Sequence, residues 1–124
     1  MLFDKELQVY LSSAKPIEAK DFYKNKLGLM LLRENESMLE FRSNGTLLTI
    51  QIVEEVRPQP TIVLGWRVKE ITEIVKSLNS KKVFCERYEF LKQDRLGIWN
   101  SSNGLKMVWL KDPDGNILSI SEGG

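Results

Sequence analysis

The sequence predicts an α+β protein built from two copies of one strand–helix–strand–strand–strand unit. Three observations carry that prediction. A strand-like run precedes a helix-like run twice, Gln8–Leu11 before Lys15-Pro16 and Ile62–Val68 before Ile71. Each helix-like run is followed by short strand-like runs, interrupted by the matching turns Ser43-Asn44-Gly45 and Ser102-Asn103-Gly104. The corresponding landmarks stand roughly 55–59 positions apart.

In order along the chain, Gln8–Leu11 alternates and is rich in strand formers. Lys15-Pro16 opens a helix, because proline suits the first helical turn. Ile17, Phe22 and Leu27 give that helix an apolar stripe, and Gly28 stops it. Strands are expected at Met30–Arg33, Met38–Arg42 and Leu47–Val53. Pro58-Gln59-Pro60 is a stiff link. The second copy has a strand at Ile62–Val68 and a helix whose Ile71, Ile74, Val75 and Leu78 fall at i, i+3, i+4 and i+7. Strands are expected at Val83–Tyr88, Leu96–Asn100, Leu105–Leu110 and Ile117–Ser121. Neither copy alone buries its sheet face, so residues 1–124 read as one domain, with units of about 5–56 and 61–122.

Composition narrows the function. An apolar fraction of 42% with 28% charge excludes a disordered chain, and a net charge of +1 gives no pull toward nucleic acid or an anionic membrane. No run approaches the length of a membrane span, and Met1–Val9 lacks a signal-peptide apolar region, so the expected location is cytoplasmic. Cys85 is the only cysteine and there is no histidine. That excludes an internal disulfide, a thiolate cluster, a Cys–His pair and a Ser-His-Asp triad. Cys85 reads as an inert small side chain.

Asp112-Pro113-Asp114-Gly115-Asn116 is a turn by its chemistry: Pro113 presets φ, Gly115 accepts positive φ, and the Asp and Asn side chains bond local N–H groups. It is no calcium loop, since the downstream bidentate glutamate is missing.

The two-copy pattern, Ile17–Leu32 with Phe22-Tyr23 and Leu27-Gly28, and the terminal Asp-Pro-Asp-Gly-Asn turn resemble the glyoxalase / bleomycin-resistance / extradiol dioxygenase proteins, the vicinal oxygen chelate superfamily. The resemblance spans nearly the whole chain. It implies two βαβββ units whose curved mixed sheets surround a groove, with helices on the outer face, and it implies a homodimer. It also implies a divalent metal held by about four side chains. The matching positions here are Gln8, then Thr49 or Gln51, then Val63 (Leu64 if the register slips), then Ser119. Neutral amides, hydroxyls and an aliphatic group do not hold a divalent ion against water. The expectation is therefore no metal, no other cofactor and no catalytic residue.

Strand alternation then assigns the groove. Gln8 and Tyr10, Glu40 and Arg42, Thr49 and Gln51, Arg67, Met107 and Trp109, and Ser119 share groove faces, while Trp66 falls in the core. Trp99 lines the entrance or caps an apolar edge. This set suits a mostly apolar, planar or amphipathic small molecule. The leading expectation is a metal-free small-molecule-binding protein with its groove near a dimer interface. The alternatives are an enzyme of the superfamily with a displaced metal site, using Glu40, Glu86 or Tyr10 as base, and a non-catalytic accessory module.

Overall fold

Alternation of apolar side chains makes β1 (Gln8–Ser13) bury Leu11 and Ser13 and expose Gln8 and Tyr10. The computed structural model describes residues 1–124 as two compact units, Met1–Arg57 and Pro58–Gly124. In the first unit β1 is followed by α1 (Pro16–Lys20), a π-helical segment (Asp21–Lys26), β2 (Met30–Glu34), β3 (Met38–Ser43) and β4 (Thr46–Ile52). The strands form a mixed sheet in the order β1-β4-β3-β2, with β1 parallel to β4 and the other pairs antiparallel.

The first helix departs from its expected apolar stripe. Ile17 is 80% exposed, and Ala19, Phe22 and Tyr23 are the buried residues. The wider π winding lets the adjacent Phe22 and Tyr23 both turn inward, where their rings meet edge to face at 5.1 Å. Tyr23 packs toward Phe41 of β3, which is fully buried with Ile50 of β4. Gly28 ends the helical stretch at φ +78°, and the Leu29 N–H donates to the Tyr23 carbonyl at 2.9 Å.

The second unit repeats the order: β5 (Ile62–Arg67), α2 (Ile71–Ser80), β6 (Trp99–Asn100), β7 (Lys106–Lys111) and β8 (Ile117–Glu122). Its sheet runs β5-β8-β7-β6, again with its first and last strands parallel. The inner face carries Val108, Leu110, Leu118 and Ile120, and α2 contributes Ile71, Val75 and Leu78 to the core. Glu122 of β8 accepts the Ile71 N–H at 2.9 Å, so a carboxylate caps the α2 N-terminus from another element. The helix ends with Lys82 at φ +64°, and the Val83 N–H donates to the Leu78 carbonyl.

Two expected strands differ. Residues 83–88 form no strand; the segment makes one backbone hydrogen bond to β7, Glu86 N–H to the Trp109 carbonyl at 2.8 Å. The strand expected at Leu96–Asn100 shrinks to Trp99–Asn100. Residues 86–98 instead form a strap knotted by side chains. The Gln93 oxygen accepts the Tyr88 N–H at 2.9 Å, and its Nε2 donates to the carbonyls of Glu86 and Gly97. Asp94 accepts the N–H groups of Leu96 and Ile98. These side-chain bonds replace the ladder that a strand would have used.

The strap also corrects the repeat spacing. Gly65 stands 55 positions after Tyr10 in the first strands, but Trp109 stands 69 after Glu40 in the later ones. The turn at Asp112–Asn116 closes β7 onto β8. Asp112 Oδ1 accepts the N–H groups of Asp114 and Asn116, its Oδ2 accepts from the Asn116 amide at 2.9 Å, and Gly115 sits at φ +88°. Its carboxylate is thus spent on the turn itself.

Candidate functional site: an aromatic cleft in the second unit

On the outer face of β7, Trp109 lies opposite Ser119, and Met107 lies opposite both Trp99 and Ser121. Trp99 and Trp109 therefore meet across the sheet, ring centroids 6.1 Å apart. The strap brings Tyr88 edge-on to Trp109 at 5.7 Å and Phe90 to Tyr88 at 5.6 Å. These four rings, with Leu91 from the strap, Pro60, Thr61 and Ile62 from the start of the unit, and Ile117 of β8, line a cleft of about 500 Å³. No charged side chain lines it.

Of the ten groove residues assigned from the sequence, Trp109 lines this cleft. Met107 and Arg67 lie on the same sheet face, opposite Ser121 from either side, outside the lining. Ser119 is only 8% exposed. A Cβ at Gly65 would stand 2.4 Å from the Ser119 hydroxyl, so this pair is packed together and leaves no room for a larger group. Val63 falls in a register irregularity between Ile62 and Leu64, and Ile62 takes the cleft position instead.

The other six stand on the first unit. Tyr10, Thr49, Glu40 and Arg33 form one cross-strand row, and Gln8, Leu47, Arg42 and Met30 the next. Tyr10 donates to the Gln8 amide oxygen at 2.9 Å. Gln51 is exposed, opposite Ser12 and Met38. Glu40 takes two bonds from the Arg33 guanidinium, at 3.2 and 2.9 Å, and Arg42 pairs with Glu6. Bonding to Arg33 holds the Glu40 carboxyl below its ordinary range, against the opposing effect of burial. A carboxylate so held is a poor proton acceptor near neutral pH.

A metal can be tested against the donors. The matched positions offer amide, hydroxyl and aliphatic groups, and no three His, Cys, Asp or Glu side chains come together as a metal-holding group. That set does not fit a hard or borderline divalent ion. Cys85 adds no nucleophile: burial pushes its thiol up to about 11, and its Cβ sits against Gly97, where an added Cβ would approach to 2.7 Å.

Tyr88, Phe90 and Leu91 have no place in the groove assigned from the sequence, and Trp99, read as entrance or apolar edge, lines the cleft itself. Their signal was there: three aromatic residues crowd into positions 88–99, in a stretch that makes the second copy longer than the first. Treating much of that stretch as strands hid it.

The fold is that of the vicinal oxygen chelate superfamily, the glyoxalase / bleomycin resistance / dioxygenase proteins. A glyoxalase family protein from Enterococcus faecalis is 26% identical, covering 98% of this chain and 100% of its own, with a TM-score of 0.69. A glyoxalase/bleomycin resistance protein/dioxygenase from Alicyclobacillus acidocaldarius is 20% identical over 96% of this chain and 91% of its own, with a TM-score of 0.72. A lactoylglutathione lyase from Agrobacterium tumefaciens is 16% identical over 97% and 94%, with a TM-score of 0.71. No family model and no curated protein matches the chain. No helix is long and apolar enough to cross a membrane.

Proposed function

We propose that this chain is a small-molecule-binding protein that works without a resident metal, as a cytoplasmic homodimer, with its ligand in the aromatic cleft of the second unit. The observation that carries the reading is the cleft itself: four aromatic rings converge on an open volume with no charge in its lining. Rings held partly open to solvent by a strap of side-chain bonds are pre-organised contact area.

The catalytic alternative has less support. Glu40 and Glu86, the carboxylates available as base, face Arg33 and Lys111 in ion pairs of 2.9 and 3.6 Å. Lactoylglutathione, after which the Agrobacterium tumefaciens lyase is named, carries carboxylates that would find no cation in this cleft. Exposed Phe3, Leu7 and Met30 on the first unit are apolar surface that self-association would cover.

Tryptophan fluorescence, titrated with indole, phenol, tert-butylbenzene and phenyltrimethylammonium, tests the reading. Saturable quenching by at least one probe, lost in Trp109→Ala, is expected. No saturation by any probe, or unchanged binding in the variant, overturns it. Native mass spectrometry should give a metal-free dimer; one divalent ion per chain would contradict the metal-free part.

A further inference from the structure

The ring geometry narrows the ligand class, on the reading that the second-unit cleft binds a small molecule. From Phe90 through Tyr88 and Trp109 to Trp99 the rings touch in sequence, and successive planes are inclined by 33°, 85° and 48°. No neighbouring pair is parallel. A flat ligand stacked on one ring meets the next at an angle and gains one good face contact. A compact rounded group can touch several faces together.

Charge narrows it further. Thr61, Tyr88 and the indole N–H groups of Trp99 and Trp109 supply the polar side-chain groups of the lining, and no Lys, Arg, Asp or Glu joins them. A carboxylate or phosphate would lose its hydration without a cationic partner. A primary ammonium or guanidinium would lose the acceptors that its several N–H donors need. A quaternary ammonium has no N–H and a dispersed charge. The negative faces of indole and phenol rings attract it directly.

We propose that the cleft is an aromatic cage for the alkylated head group of a quaternary ammonium compound. The volume of about 500 Å³ leaves room for an organic substituent on the head.

The test compares phenyltrimethylammonium with tert-butylbenzene, which has the same shape without the charge, and with naphthalene as a flat neutral probe. Calorimetric or fluorescence titration of the full chain should show the cation binding about tenfold more tightly than tert-butylbenzene. Phe90→Leu should cut that preference several-fold. Phe90 is 82% exposed, so this variant should keep its fold, which circular dichroism checks. Trp99→Phe should keep part of the preference and Trp99→Leu less.

Equal or tighter binding of tert-butylbenzene overturns the cage while leaving a binding cleft. Tighter binding of naphthalene overturns it in favour of flat stacking. Failure of all three probes to bind removes the cage and the underlying site together.

Discussion

The two units share one strand order and differ in what they place on it. Along matching rows, the first unit sets Tyr10, Thr49 and Glu40 where the second sets Gly65, Ser119 and Trp109. The first row is polar and internally neutralised, its Glu40 locked to Arg33. The second is small at Gly65 and Ser119 and aromatic at Trp109, and the strap adds Tyr88 and Phe90 beside it. A repeated backbone thus supplies two similar scaffolds, and side chains with one added segment make one of them a candidate site.

Removing the aromatic anchor should break this asymmetry most strongly. Trp109→Ala should weaken probe binding by roughly 30-fold or more, the scale for truncating a central aromatic anchor. Tyr10→Ala and Glu40→Gln should leave it within about twofold, since neither lines the cleft. Fluorescence titration of the three variants reads both halves of the contrast.

The next effect lies in the strap. Gln93→Leu removes one acceptor and two donors that tie Tyr88, Glu86 and Gly97. It should cost about 1–3 kcal/mol in urea unfolding and also weaken probe binding, because Tyr88 and Phe90 lose their fixed position. Lost stability with full affinity would show that the strap does not position the site.

Smaller still is the α2 cap. Glu122→Ala should cost about 1 kcal/mol and leave probe affinity unchanged. Chemical denaturation with the same titration separates the two.

The smallest effect falls on the first unit. The folded Glu40 carboxyl is held below its ordinary value, so its contribution is full above the unfolded carboxyl range near pH 4–5 and disappears as pH falls through the folded value. Stability of wild type and Glu40→Gln should therefore differ at neutral pH and converge in acid. A gap that widens in acid would reverse the assigned sign.

Legibility in the sequence followed the same division. The strands and α2 could be read because each buries one face, and alternation or a helical stripe records that burial: Leu48 with Ile50, Val108 with Leu110, Ile71 with Val75 and Leu78. The Asp112–Asn116 turn could be read because its bonds are local. The strap could not. Its bonds run from Gln93 and Asp94 to backbone groups in no periodic order, so residues 83–88 resembled a strand by composition alone. Ile17 failed because Ala19 is the residue of α1 that faces the core, and the π-helical segment that follows buries Tyr23 beside Phe22. Trp109 was found because strand alternation reaches it, whereas its two ring partners, Tyr88 and Trp99, sit on the strap and on a strand of two residues.

The placement of the site on the second unit is tested most directly by amide and indole N–H chemical-shift mapping during titration with phenyltrimethylammonium. The account predicts shifts at the Trp99 and Trp109 indoles and across residues 86–98, with Gln8, Tyr10 and Thr49 unmoved. Shifts concentrated on the first-unit row, with both indoles unchanged, would contradict it.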